Sequence, residues 1–289
     1  MKLIFALSFI LITYINAAAQ DSVDTALVTQ YNYARELYDQ EKYFDAVMEF
    51  KRLLFFDKKG KYSYESNLLI AKSYANGGFY KNAEEHFYRA SAFSRSPRQL
   101  FDVKLEQLKM FLVSRNEQKA MDALSEISYR KEFLNFNDEI IYWGGFTNLF
   151  FGRAEAAKNY FYQIDDRDSE YFVHSQFLIQ VCDSVLQNQK SVSTAKILSY
   201  ALPGAGQFYS GEYFSGLLSF AWNAIGIYLT VDAFSSKRDF DGVMLLSLFW
   251  YRFYAGNIEN TEKFAKNFNT KVLNKWLNYL QFEYKGPKP

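Results

Sequence analysis

"YNYARELYDQEKYFDAVMEFKRLL", residues 31–54, sets a pattern that returns three times further down the chain. The later copies are "IAKSYANGGFYKNAEEHFYRA" (70–90), "LKMFLVSRNEQKAMDALSEI" (108–127) and "GGFTNLFFGRAEAAKNYFYQI" (144–164). In register, they place Ala46, Ala83, Ala120 and Ala157 in one column, each 37 residues after the last. Phe50, Phe87, Leu124 and Phe161 stand four residues further on, and Leu53, Ala90, Ile127 and Ile164 three beyond those. An upstream column holds Ala34, Ala71, Leu108 and Gly145. Steps of three and four share one helix face. A small residue lets two helices approach while the large side chain one turn later fills the space beside it. One helix pair cannot bury its apolar face alone, so the copies are expected to stack.

The spacing predicts helix pairs over 30–41 and 43–56, 64–77 and 80–94, 98–114 and 117–129, and 137–151 and 153–164, then a closing helix over 170–188. With Ala34, Tyr43, Ala46 and Phe50 in the first copy, and Ala71, Tyr74, Tyr80, Ala83 and Phe87 in the second, the pattern resembles the tetratricopeptide repeat. The third and fourth copies depart from it, with Leu108 and Gly145 in the first small-residue slot, and the period is 37 where the family's is 34. The resemblance implies an all-α helical solenoid over 21–189 that presents one face to a protein partner. Tyr33, Tyr38, Lys72 and Tyr74 are the candidate partner surface.

The first twenty residues, "MKLIFALSFILITYINAAAQ", set Lys2 ahead of an apolar run and close on three alanines. That order marks residues 1–19 as a signal peptide, a retained anchor being the alternative. Cys182 is the single cysteine, so no internal disulfide can form and a buried inert thiol is expected. Lys plus Arg number 33 against 32 Asp plus Glu, with no basic stripe, which argues against a nucleic-acid partner.

After Lys190 the composition turns apolar. "AKILSYALPGAGQFY" is broken at Pro203, Gly204 and Gly206; "GLLSFAWNAIGIYLTVDAF" (216–234) is close to membrane-spanning length; "GVMLLSLFWYRFYAGN" (242–257) is shorter. These runs predict one span flanked by shorter or re-entrant helices, or a compact hairpin; the alternative is the core of a soluble helical domain. Pro203 ends a helix, and the glycines permit a tight turn and close approach at a membrane surface. Gln207 and Asn257 are expected to hydrogen-bond across the core, and Arg252 to need Asp232, Asp241, a carbonyl or the interface as partner. Residues 259–289 form an amphipathic helical tail.

Pro203, Gly204, Gly206, Gln207 and Tyr209, then Tyr213, Gly216, Leu217 and Leu218, then Tyr251, Arg252, Tyr254, Gly256 and Asn257, resemble a largely uncharacterised bacterial family of small membrane domains marked by a P-G-x-G-Q-x-Y turn. The resemblance covers about 195–270 and implies a membrane-associated domain over 190–258, often in exported envelope proteins with helical repeats ahead of it. It carries no biochemical activity.

His86 and His174 are the only histidines, no phosphate loop occurs, and "PGAGQ" lacks a strand–turn–helix setting and a phosphate-binding lysine. No catalytic constellation, cofactor, metal or small-molecule substrate is expected. The chain is therefore expected to be a membrane-tethered periplasmic scaffold of the bacterial cell envelope that binds a protein partner, or alternatively a non-catalytic subunit of an envelope insertion, secretion or transport complex.

Overall fold

The computed structural model of the protein describes residues 24–289. The expected signal peptide lies outside the described residues. Every regular element described is helical. The chain forms two compact units that divide between Thr147 and Asn148, inside the fourth expected helix pair.

The first unit holds α1 (24–39), α2 (Tyr43–Phe56), α3 (Ser63–Asn76), α4 (Tyr80–Ala92), α5 (Pro97–Val113), α6 (Glu117–Tyr129), a 3-10 turn (Lys131–Phe136) and most of α7 (Asn137–Phe150). Consecutive helices pack pairwise, α2 on α3, α3 on α4, α4 on α5 and α5 on α6. Ala34, Leu37, Ala46, Phe50, Leu53 and Ile70 form one buried cluster across the first three helices. Arg98 lies over the rings of Phe101 and Phe136, and Tyr142, Trp143 and Phe146 pack ring to ring in α7.

The backbone repeats the 37-residue step more faithfully than the side chains do. Glu41, Gly78, Arg115 and Gly152, each 37 residues apart, all have positive φ (59°, 78°, 54° and 81°) and each closes the first helix of a pair. The next amide, of Lys42, Phe79, Asn116 and Arg153, donates in every case to the carbonyl five residues back, at 2.8 to 3.0 Å. This left-handed C-terminal turn satisfies carbonyls that the ending helix leaves open. It holds in the two copies whose side chains depart from the pattern.

In the second unit, α8 (Ala154–Phe161) packs on α9 (Glu170–Asn188), the expected closing helix. Cys182 is buried there, and desolvation pushes its thiol up to about 12, the protonated and unreactive form. α10 (Val192–Ala201) is capped by Ser191, whose hydroxyl accepts from the Thr194 amide at 3.1 Å. It stops before Pro203. Then come α11 (Ala205–Tyr209), α12 (Tyr213–Ser235) and α13 (Asp239–Met244), a π-helical segment (Leu245–Trp250), and α14 (Tyr251–Phe282). The same left-handed turn recurs here: Gly211 and Lys237 have φ 82° and 59°, and Glu212 and Arg238 donate five residues back at 2.8 and 2.9 Å.

α12 and the arm running from α13 into α14 pack as a hairpin. Trp222 stacks on Phe253 with ring centroids 5.7 Å apart. The third apolar run and the tail are one continuous helix, differing from the expected boundary at 258/259. Nothing between Tyr251 and Phe282 interrupts the backbone, because no proline occurs and Gly256 is tolerated within a helix.

Candidate functional site

Around α11 and α12 polar side chains such as Gln207, Asn223 and Thr230 are buried while large apolar ones such as Phe214, Leu217 and Val231 face outward. Pro203 lies between the end of α10 and Gly204, which takes φ 95° and opens α11. A Cβ on Gly204 would stand 2.3 Å from the Gly216 carbonyl oxygen, so the turn rests backbone to backbone on the start of α12. Gly206 is as tightly held, against the Ala195 carbonyl, Ser199 and Thr261.

Behind these glycines sits a buried polar knot. Ser199, Gln207, Asn257 and Thr261 are all buried. The Gly206 amide donates to Ser199 Oγ at 3.2 Å, and Ser199 and Thr261 share a hydroxyl bond of 2.8 Å. Gln207 Nε2 donates to Ser219 Oγ and the Asn257 backbone carbonyl, each at 3.3 Å, and to Asn257 Oδ1. The expected Gln207–Asn257 bond is thus present, and it joins α11 to α14. An amide left alone there would cost about 1–3 kcal/mol, so each member fixes the others.

The rim is also tied. Tyr209 Oη accepts from the Ser191 amide at 3.1 Å, and Lys190 Nζ lies 4.9 Å from the Tyr209 ring centroid. Asn269 brackets the Lys190 backbone, accepting from its amide at 2.7 Å and donating to its carbonyl at 2.9 Å. Glu262 bridges Lys196 and Lys266 at 2.9 and 2.6 Å, and those two partners hold its carboxyl down to about 2.

Beside the knot, α12 and α14 line a cleft of about 630 Å³. Ser215, Ser219, Asn223, Arg252, Asn257 and Asn260 supply its polar side chains. Arg252 makes no ion pair among the described residues. Its two expected acidic partners are taken: Asp232 and Asp241 lie 2.7 and 3.5 Å from Arg238.

All ten repeat-core residues, Ala34, Ala46, Phe50, Ala71, Ala83, Phe87, Ala120, Leu124, Ala157 and Phe161, are buried. The four partner-surface residues are placed differently. Tyr33 is exposed. Burial raises the Tyr38 hydroxyl pKa, and Lys72, close enough to oppose that shift, is 3.1 Å from Glu106. Burial raises the pKa of Glu106, but Lys109 and Lys72 override it and hold the carboxyl below its ordinary value. Tyr74 instead faces α2 and α4, accepting from Lys51 Nζ at 2.8 Å and lying 5.8 Å from the His86 ring. Burial lowers the His86 pKa to about 4, and the ring bonds Asn67 Oδ1 at 2.9 Å, consistent with a neutral core histidine.

Ser199, Ser219, Asn223, Thr261 and Asn269 were not singled out from sequence. For Ser219, Asn223 and Thr261 the signal was a spacing of four, Ser215–Ser219–Asn223 on α12 and Asn257–Thr261 on α14, which puts a polar stripe on each of two facing helices. No cluster of His, Cys, Asp and Glu with metal-binding geometry occurs among the described residues.

These features define a class: an all-α protein with repeat-like helix pairing and, among the described residues, one apolar helix near the C-terminus long enough to cross a membrane. The chain is 39% identical over 66 residues to the uncharacterized protein MJ1516 of Methanocaldococcus jannaschii, covering 22% of this chain and 67% of that one. Over that stretch the chain belongs to the family of that protein. No family model and no solved structure matches.

Proposed function

We propose that the protein is a membrane-tethered adaptor of the cell envelope, with tetratricopeptide-like helix pairs that hold a protein partner on the periplasmic side and a P-G-x-G-Q-x-Y domain that anchors them. One observation carries this most: α12 is polar inside and apolar outside. Asn223 and Thr230 are buried, while Leu217, Ile225, Tyr228, Leu229 and Val231 are exposed. Water selects the reverse arrangement, and a lipid environment selects this one. At 23 residues the helix is about 34 Å long, enough to cross a hydrocarbon core of about 30 Å.

The adaptor role rests on the first-helix surface around Tyr38, Lys72, Glu106 and Lys109, where charge and aromatic area meet without an acid–base or nucleophilic pair aimed at a common point. The mechanism is positioning, with no covalent chemistry. Carbonate extraction of membranes carrying the full-length protein tests the tether. The protein is expected in the pellet, and its release into the carbonate wash sinks the proposal. Cross-linking from Lys72 and Lys109, followed by mass spectrometry, tests the adaptor role: a protein partner should be captured through these residues and not through the α12 face. Capture only through α12 favours the alternative, a non-catalytic subunit packed against a larger membrane complex.

A further inference from the structure

We propose that the cleft between α12 and α14 binds the headgroup of a phospholipid that carries both a phosphate and a hydrogen-bond donor, as ethanolamine and glycerol headgroups do. The inference rests on the membrane tether proposed above and adds a ligand to it.

Three groups converge on the cleft with unmet needs. Asn223 and Asn257 are 3% and 4% exposed, yet Asn223 Oδ1 and Asn257 Nδ2 have no hydrogen-bond partner among the described residues. Their other amide atoms are committed: Asn223 Nδ2 donates to the Ser219 carbonyl at 2.8 Å, and Asn257 Oδ1 accepts from Gln207. The Asn223 bond fixes which way that amide points, and both unmet atoms are buried on residues whose side chains line the same cleft. Arg252, which also lines the cleft, adds a guanidinium without an ion pair among the described residues, one helical turn before Gly256. A buried unmet amide and an unpaired cation in an apolar setting are both costly, and such groups mark ligand sites.

The complementary molecule has an anion for Arg252 and Asn257 Nδ2, and a donor for Asn223 Oδ1. It also has an apolar portion, because Leu218 and Phe253 line the cleft and join the outward apolar face of the hairpin. A phosphodiester matches the planar fork of an arginine, and the headgroup ammonium or hydroxyl supplies the donor. The volume of about 630 Å³ falls within the range of small-molecule pockets. A soluble phosphate satisfies the cation and leaves the Asn223 acceptor and the apolar wall unused, which favours the lipid.

The test uses full-length protein in mild detergent, offered phosphatidylethanolamine, phosphatidylglycerol and phosphatidylcholine in turn, with retained lipid counted by native mass spectrometry. Inorganic phosphate and glycerol phosphate are assayed separately by thermal shift. Ethanolamine and glycerol lipids are expected to be retained at least tenfold over the choline lipid, whose headgroup has no N–H or O–H. Arg252→Gln should remove retention of all three. Arg252→Lys, which keeps the charge and loses the fork, should retain an intermediate amount and guards against a folding defect. Asn223→Ala should erase the preference over choline while leaving phosphate-dependent binding. Equal retention of the three lipids, or unchanged retention in Arg252→Gln, overturns the inference. So does a thermal shift from inorganic phosphate as large as that from lipid. If wild-type protein stays in carbonate-washed membranes but shows no headgroup preference, the inference fails alone; if carbonate releases it, the tether has failed first.

Discussion

Replacing Gly206 by alanine tests the polar knot most sharply. A methyl group there would stand 2.2 Å from the Ala195 carbonyl oxygen, 2.4 Å from Ser199 Oγ and 2.4 Å from Thr261 Cγ2. Overpacking costs about 1–3 kcal/mol, and the upper end applies because one neighbour is backbone on another helix. Displacing Ser199 also breaks its bond to the Gly206 amide, roughly 1 kcal/mol more. Helix propensity returns about 1 kcal/mol on replacing glycine, so the net loss is about 3 kcal/mol. At about 3 °C per kcal/mol for a unit of this size, the unfolding midpoint should fall by roughly 9 °C. Gly256→Ala is the control: it lies in α14 with nothing within 4 Å of the added carbon, and should gain about 1 kcal/mol, roughly 3 °C. Unfolding of both variants in detergent can be followed by tryptophan fluorescence at one fixed scan rate, since Trp222, Trp250 and Trp276 all lie in this unit. Equal midpoints for the two alanine variants would refute the close-packing argument.

Ile225→Asp places a charge on the outward face of α12; in a bilayer it should cost about 2.5–3.5 kcal/mol and empty the carbonate-resistant fraction, whereas a water-facing position would tolerate it within about 0.5 kcal/mol. His86 predicts a pH slope. Its folded-state pKa is about 4 and its ordinary value 6.5, so above pH 6.5 neither state binds the proton and stability is full. As pH falls from 6.5 towards 4 the unfolded chain takes up a proton that the fold refuses, and stability should drop by roughly 1–2 kcal/mol, allowing for solvent screening. Denaturant titrations across that window should show the slope in wild type and a flatter one in His86→Gln. Gly78→Ala should lose about 1 kcal/mol from the strain of positive φ alone, because no atom lies within 4 Å of the added carbon; a neutral result in chemical denaturation would count against a shared left-handed turn.

The helix pairs were legible because a small residue and a large one at fixed spacing record a helix crossing directly, and α2 and α6 begin and end where the pattern places them. The left-handed turns were half hidden. Glycine marks them at 78 and 152, but Glu41 and Arg115 adopt the same conformation at a cost that the flanking helices absorb, leaving no residue type to read. The Gln207–Asn257 bond was legible because two amides in apolar surroundings demand partners. Ser199 and Thr261 were not, since a hydroxyl in a helix commonly bonds its own backbone four residues back and so demands nothing further. The fate of Arg252 turned on competition: Arg238 sits at the hairpin's tip, closer to both aspartates, and claims them.

The Asn269 clasp on Lys190 joins points 79 residues apart in the chain, and the knot likewise waits for Asn257 and Thr261. During synthesis, then, α10 and the Pro203 turn emerge well before the α14 residues that complete their bonding. The knot and the clasp can close only once α14, which also supplies one arm of the hairpin, has been made as far as Asn269. The Lys190 amide should therefore gain exchange protection only once the chain has extended past Asn269; its protection in a chain ending at Arg252 would show that the clasp is not what shields it.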